Sequence, residues 1–183
     1  MAEFYLFSSD DDNPNAKPSE VYIKDFGRHF GLTLPDAHPQ LHHSPATVDR
    51  VKSLLGKNGI SSGPLILIHA GPSWPVREWP QSSWAALVTE LKQHGFAGIV
   101  QLGTRNHLPW GTVDGDAIPG VVSLVDQLTL EESAALIAQG GLFIGIDSGL
   151  LHIAAAAGTP AVGLWGPTSP QFVSQPPIAG RSW

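Results

Sequence analysis

The chain has 183 residues, of which 42% are hydrophobic and 14% are charged, and its formal net charge is −6. This length predicts one domain, or one domain with an appendage, because domains usually hold about 100–200 residues. The small charged fraction argues against disorder, and the acidic balance argues against a nucleic-acid partner, which requires a basic face. The absence of cysteine excludes disulfide scaffolds, thiolate zinc sites, iron–sulfur clusters and thiol nucleophiles. With no apolar run long enough to span a membrane and no signal-like start, the sequence predicts a cytoplasmic protein without a transmembrane segment.

The sequence predicts that residues 1–60 form an interdomain connection with one or two helices. Residues 1–20 are polar and interrupted by proline, which is typical of a linker or a frayed terminus. A loose helical pattern over Glu20–Phe30 ends at Gly31, and a second helix is predicted over Ala46–Leu55 before two glycines.

From Pro64 onwards, short apolar runs alternate with helical patterns. The predicted strands are Leu65–His69, Ala97–Leu102, Val121–Leu124, Leu142–Ile146 and Ala161–Leu164. The predicted helices are one capped by Ser83 that closes before Gly95, one opened by a capping box from Thr129 to Glu132, and one over Gly149–Ala157. This alternation predicts a Rossmann-like three-layer α/β/α domain with a mainly parallel sheet over residues 61–175, followed by a tail at 176–183.

Ligands of open parallel sheets bind beyond the carboxyl ends of the strands, which directs attention to the loops that follow them. Asp147-Ser148-Gly149-Leu150-Leu151-His152 runs from a strand into a helix, whose free N–H groups favour an anion such as a diphosphate. Ser148 and His152 are four residues apart and share a helix face. The competing interpretation is that Asp147 or Ser148 only caps the helix and that His152 bonds a local carbonyl.

A second candidate follows the first strand, where Ser73 and Arg77 supply a hydroxyl and a permanent cation for a phosphate clamp. The alternative is a solvated arginine beside a loop whose tryptophans, Trp79 and Trp84, serve packing and helix entry.

Several weaker patterns have simpler interpretations. Gly166–Pro170 is explained as a turn, and Asp114-Gly115-Asp116 is an ordinary turn more often than a magnesium pair. Asp10–Asp12 is typical of a solvated acidic patch, and His42-His43 lacks further ligands at metal spacing. No metal site and no cofactor are therefore expected. The motifs of serine hydrolases, P-loop nucleotidases and zinc proteases are absent.

Together these motifs resemble the C-terminal half of family 9 glycosyltransferases, which include the ADP-heptose:lipopolysaccharide heptosyltransferases. The resemblance runs from about Pro64 to Pro170 and rests on five segments: His69-Ala70-Gly71-Pro72-Ser73, Arg77-Glu78-Trp79-Pro80 with Trp84, Asp147–His152, Gly158-Thr159-Pro160 and Gly166–Pro170. It implies the GT-B fold, in which two Rossmann-like domains face each other across a cleft.

The resemblance also implies a nucleotide-sugar site and a reaction. The residues it places around the diphosphate and sugar are Ser73, Arg77, Asp147, Ser148, Gly149, Leu150 and His152, with further contacts at Gly71, Gly103, Thr104, Arg105 and Thr168. Arg77 stands where these enzymes commonly have lysine. The carboxylate that usually follows the glycine after the second strand, near the ribose, is replaced here by Arg105 or is absent, and this departure puts the identity of the nucleotide sugar in question.

The implied reaction is inverting transfer of heptose or a related sugar from ADP-heptose to a lipopolysaccharide core-type acceptor, in an enzyme that contacts the inner membrane peripherally. No candidate catalytic base precedes Pro64, so the chain is expected to be an excised or truncated donor-binding half that is inactive alone. Two alternatives stay open: a non-catalytic binding module of the same fold, and part of a sugar-nucleotide epimerase.

Overall fold

The computed structural model describes residues 27, 29–32, 41–61, 63–105, 117–167 and 178–182. The helices are α1 (Pro45–Lys57), α2 (Gln81–Gln93), α3 (Leu130–Ile137) and α4 (Gly149–Ala156), with a short 3₁₀ helix at Pro75–Arg77. The strands are β1 (Leu65–His69), β2 (Gly98–Gln101), β3 (Val122–Ser123), β4 (Leu142–Ile146), β5 (Ala161–Trp165) and β6 (Ile178–Ser182). No helix in these ranges is long and apolar enough to cross a membrane.

The six strands form one parallel sheet in the order β3-β2-β1-β4-β5-β6. This is the strand order of the Rossmann fold, with the chain reversing direction across the sheet between β1 and β4. At the centre, Leu67 of β1 lies beside Val100 of β2 and Phe143 of β4. The predicted parallel sheet is confirmed, and the structure adds a sixth strand inside the segment that the sequence predicted to be a tail.

Alternate residues of the central strands face opposite helical layers. Leu65 and Leu67 pack into a core with residues of α1, α3 and α4, whereas Ile66 and Ile68 pack into a second core against Trp84 of α2. Burial on both faces explains why the first four residues of β1 are all apolar, since a strand with one solvated face would alternate. The arrangement confirms the predicted three-layer α/β/α architecture.

The start of α3 is joined to α1 by polar contacts. The predicted capping box is present: the Thr129 hydroxyl accepts from Glu132 N (3.2 Å), and Glu132 Oε2 accepts from Thr129 N (2.8 Å). Arg50 of α1 donates to Glu132, and Glu131 accepts from the Thr47 hydroxyl. The backbone N–H of Thr129, together with Arg50, holds the pKa of Glu132 below its usual value despite burial. These contacts fix the two helices against each other on one face of the sheet.

The structure tests the predicted end of one helix and the predicted start of another. Gly31 adopts φ +63°, and Leu32 N donates to Gly27 O (2.8 Å), which ends the first predicted helix where expected. The predicted cap at Ser83 is wrong, because α2 already begins at Gln81 and Ser83 lies in its first turn. Pro80 fills the N-cap position with extended backbone and starts the helix without a side-chain cap.

Candidate functional site

The loops that follow the strands meet at one edge of the sheet, because all six strands run in the same direction. The loop after β1 ends in the 3₁₀ helix Pro75–Arg77, and the chain after β4 enters α4 within two residues. Since β1 and β4 are neighbours in the sheet, these two loops are adjacent. The two candidate clusters from the sequence therefore lie side by side.

An ion pair joins the two loops directly. Arg77 Nη1 lies 3.4 Å from Asp147 Oδ2; the Asp147 side chain is 7% exposed and that of Arg77 is 31% exposed. The backbone N–H of Asp147 donates to Leu164 O of β5 (3.2 Å), which holds the Asp147 backbone at the edge of the sheet. Arg77 is thus not an isolated surface cation, and its exposed part leaves guanidinium donors for a ligand.

Ser148 is the N-cap residue of α4, yet its side chain makes no capping hydrogen bond. Its carbonyl accepts from Leu151 N (3.1 Å) and His152 N (3.4 Å), which starts the helix. The hydroxyl Oγ is buried and has no hydrogen-bond partner among the described residues. Side-chain capping therefore does not explain this serine, whereas an unpaired buried hydroxyl at a helix start suits an acceptor group of a ligand.

The residues that follow Ser148 leave open space at the start of α4. A Cβ atom on Gly149 would meet no atom within 4 Å, and Leu150 is partly buried. His152 is exposed one turn after Ser148, and within the described ranges its ring makes no hydrogen bond to a local carbonyl. The structure therefore brings Ser148, Gly149 and His152 to one open end of α4.

The loop after β1 is closed by a contact that the sequence did not predict. Ser73 N donates to Glu78 Oε1 (2.8 Å), across a loop in which Trp74 and Val76 are exposed. Gly71, at the start of this loop, has φ +121°, a conformation that favours glycine. Glu78 belongs to one of the segments that carry the family resemblance, but the sequence gave no role for it, because the bond depends on how the loop folds back.

The two tryptophans beyond this loop have the packing role considered as the alternative. Trp79 and Trp84 make an edge-to-face contact with ring centroids 5.1 Å apart, and Trp84 is fully buried. Arg77 lies 5.1 Å from the ring of a third tryptophan, Trp74, as a cation–π partner.

Gly166 supports the same loop from the β5 side. A Cβ atom at this position would overlap the carbonyl oxygen of Val76 and come within 3.4 Å of the Arg77 Cα. The sequence treated Gly166 as an ordinary turn residue, because a close approach between distant backbones leaves no local signature. In the structure, only glycine permits this contact.

A second polar cluster lies beyond β2 and β3. Asp126 Oδ1 accepts from Arg105 N (2.9 Å), and Asp126 Oδ2 lies 3.8 Å from Arg105 Nε; both side chains are substantially exposed. Asp126 has φ +62°. Gly103 begins the segment and Thr104 is exposed. The structure thus supplies a carboxylate beside Arg105 from the next strand, a pairing that the sequence did not predict.

His69 ends β1 beneath these loops. Its Nδ1 lies 3.1 Å from Leu102 O, and because a carbonyl only accepts, Nδ1 carries the proton. Burial lowers the pKa of His69, and the hydrogen bond to Leu102 opposes this effect only in part. A Cβ on Gly103 would come within 3.0 Å of the ring. His69 is therefore a neutral packing group rather than a cation for an anionic ligand.

Some of the sequence candidates lie outside the described residues: Thr168, Asp114-Gly115-Asp116 and Asp10–Asp12. Within the described ranges, no group of three or more histidine or acidic side chains is arranged to hold a metal ion, and this includes His42 and His43.

The chain resembles known proteins in both sequence and fold. The sequence profile of glycosyltransferase family 9 (heptosyltransferase) matches residues 9–182. Lipooligosaccharide heptosyltransferase 2 of Haemophilus influenzae is 34% identical over 162 residues, which are 81% of this chain and 44% of that protein. A family 9 glycosyl transferase structure from Veillonella parvula has a TM-score of 0.76 at 18% identity, covering 94% of this chain and 50% of that one.

A second solved structure, E. coli ADP-heptose lps heptosyltransferase II, has a TM-score of 0.61 at 28% identity, covering 83% of this chain and 47% of that one. The chain thus spans about half, or less, of the length of these relatives. The match over nearly its whole length establishes that the chain belongs to glycosyltransferase family 9.

Proposed function

We propose that this chain binds a nucleotide diphosphate sugar, ADP-heptose, as the donor-binding half of an inverting heptosyltransferase that acts on a lipopolysaccharide core-type acceptor. The observation that carries the proposal is the Arg77–Asp147 ion pair beside the unpartnered hydroxyl of Ser148 at the start of α4. The names of the relatives support the donor and the acceptor class.

In the proposed complex the diphosphate lies between the two loops. The free N–H groups at the start of α4 and the Ser148 hydroxyl would donate to phosphate oxygens, with Arg77 on the opposite side. Asp147 would keep the guanidinium turned toward the ligand, since its carboxylate lies 3.4 Å from Nη1. Ser73 and His152 would complete the polar contacts, and Gly149 and Leu150 would line the sugar.

The proposed reaction breaks the bond between the anomeric carbon and the diphosphate oxygen. A base outside the described residues removes a proton from an acceptor hydroxyl, whose oxygen attacks the anomeric carbon from the opposite face. The electron pair of the broken bond passes to the diphosphate, whose added charge Arg77 and the N–H groups of α4 stabilise. This chain's part in catalysis is therefore to hold the donor and to stabilise the leaving group.

The nucleoside end of the donor would extend toward the loops after β1, β2 and β5. We assign it further contacts with Gly71, Gly103, Thr104, Arg105 and Thr168. Asp126, which pairs with Arg105, brings a carboxylate to this corner and is available to sugar hydroxyls. Residues 1–60 would connect to a separate acceptor-binding domain that carries the base. A cytoplasmic location and peripheral contact with the inner membrane stay predictions from the sequence.

The proposal is tested by the melting temperature of the chain with and without ADP, UDP and GDP. Ligand at about 100 times its Kd adds ~2.7 kcal/mol to stability, so ADP at millimolar concentration should raise Tm by several degrees. UDP and GDP are expected to act more weakly. If none of the three nucleotides raises Tm, the chain is not a donor-binding domain.

A further inference from the structure

We propose that Glu78 and Gly166 are positioning residues that hold the Ser73–Arg77 loop in its binding shape. This inference rests on the proposed function, because it concerns how the same loop meets the diphosphate. Neither residue belongs to the site that the sequence predicts: Glu78 acts from the far end of the loop, and Gly166 from the end of the neighbouring strand β5.

The loop needs such support because, apart from the Arg77–Asp147 ion pair, its side chains do little to anchor it. Trp74 and Val76 are 53% and 58% exposed, so neither contributes much burial. Within the loop, Arg77 N donates to Trp74 O (2.8 Å), which forms the 3₁₀ turn but attaches it to nothing else. Besides that ion pair, two described contacts that hold the loop involve its backbone.

The first support is the Glu78 carboxylate. Oε1 accepts from Ser73 N at 2.8 Å in a partly buried setting, and a hydrogen bond to a charged acceptor is stronger than a neutral one. The bond ties the first residue of the loop to the residue that directly follows Arg77. The bond therefore constrains the shape of the segment between them.

The second support is the backbone of Gly166. This buried glycine lies against the carbonyl of Val76 so closely that a Cβ atom would overlap it. Both partners are main-chain groups, so a side chain at position 166 could be accommodated only by a shift of one of the two backbones. A shift of the peptide between Val76 and Arg77 would disturb the contact that the Arg77 guanidinium makes with Asp147 at 3.4 Å.

These two contacts preorganise Arg77. A cation already held in its binding position loses less conformational freedom when a ligand arrives, and affinity rises accordingly. Loss of either support should therefore weaken ADP binding by disturbing the position of Arg77.

Glu78 is tested by calorimetric titration of the chain with ADP. Glu78→Ala should raise the Kd about fivefold, as expected for loss of one hydrogen bond that orders the site. Glu78→Gln should restore most of the affinity, because its amide oxygen still accepts from Ser73 N–H. Glu90→Ala, an exposed glutamate of α2, is the matched control and should leave the Kd unchanged. Equal affinity in the wild type and Glu78→Ala would remove Glu78 from this role.

Gly166 is tested by a double-mutant cycle with Arg77. Gly166→Ala should raise the Kd for ADP about tenfold in the wild-type chain but less than about twofold in an Arg77→Ala background, because its effect passes through Arg77. Gly56→Ala in α1, where a Cβ meets no atom within 4 Å, is the control. Additive effects of the two substitutions would show that Gly166 does not act through Arg77.

The two proposals fail in different ways. If the wild-type chain does not bind ADP, the proposed function fails. If the wild type binds ADP and both Glu78→Ala and Gly166→Ala bind it equally well, only the positioning role fails. Should Gly166→Ala not fold, the Glu78 pair of variants decides the question.

Discussion

Arg77 contacts both an aromatic face and a carboxylate. Its guanidinium carbon is 5.1 Å from the Trp74 ring centroid, and its Nη1 is 3.4 Å from Asp147 Oδ2. A planar guanidinium makes both contacts at once, whereas a lysine ammonium is a compact point charge. At the residue scale, the positive charge and the planar shape of Arg77 therefore have separate effects that substitution can distinguish.

Arg77→Lys keeps the positive charge but loses the planar guanidinium with its several N–H donors, so we expect ADP binding to weaken only about threefold. Arg77→Ala removes the charge and should raise the Kd about tenfold or more, since hydrogen bonds to charged groups contribute most. Calorimetric titration with ADP measures both constants. An unchanged Kd in Arg77→Ala would exclude Arg77 from the nucleotide site.

His69 predicts a pH dependence of stability. Because its pKa is lowered in the folded chain, the unfolded chain binds more protons below the unfolded value of about 6.5, and stability falls as the pH drops from 7 to 5. Carboxylates titrate mostly below this window. His69→Asn, which keeps a donor for Leu102 O, should flatten the slope in urea unfolding, while the exposed control His94→Gln should retain it. The same slope in His69→Asn and the wild type would contradict this account.

At the scale of elements, the junction between α1 and α3 depends on one capping residue. Thr129→Ala removes the hydroxyl that accepts from Glu132 N, and loss of such a cap costs about 1 kcal/mol of stability. Thr89→Ala in α2 is the control, because that hydroxyl only donates back to Ala85 O within the helix and alanine is the better helix former. Urea unfolding compares the two variants, and equal stabilities would show that the cap does not hold the junction.

Local sequence determines some elements and not others. β4 was predicted with its exact bounds, since Leu142–Ile146 is an apolar run set off by glycines before it and Asp147 after it. β6 was missed because Ile178–Ser182 contains Gly180 and Arg181 and lacks a strand pattern; it becomes a strand by pairing with the open edge of β5. The prediction that Ser83 caps α2 was also wrong. The helix begins two residues earlier, at Gln81, directly after Pro80.

At the scale of the whole molecule, the strand order brings distant parts of the chain to one place. The sequence identified the loops after β1 and β4 as candidate sites, since parallel strands share a carboxyl edge. It could not pair Arg77 with Asp147, Glu78 with Ser73 or Gly166 with Val76, because these contacts depend on which strands are neighbours and how the loops bend. The candidate residues were therefore largely predictable, but their mutual geometry was not.

The most direct test of the proposed donor site is a crystal structure of the chain with ADP bound. We predict the diphosphate between the Ser73–Arg77 loop and the start of α4, within hydrogen-bond distance of the Arg77 guanidinium and of Ser148 Oγ. ADP bound elsewhere on the chain, or a diphosphate without contact to either residue, would contradict the account.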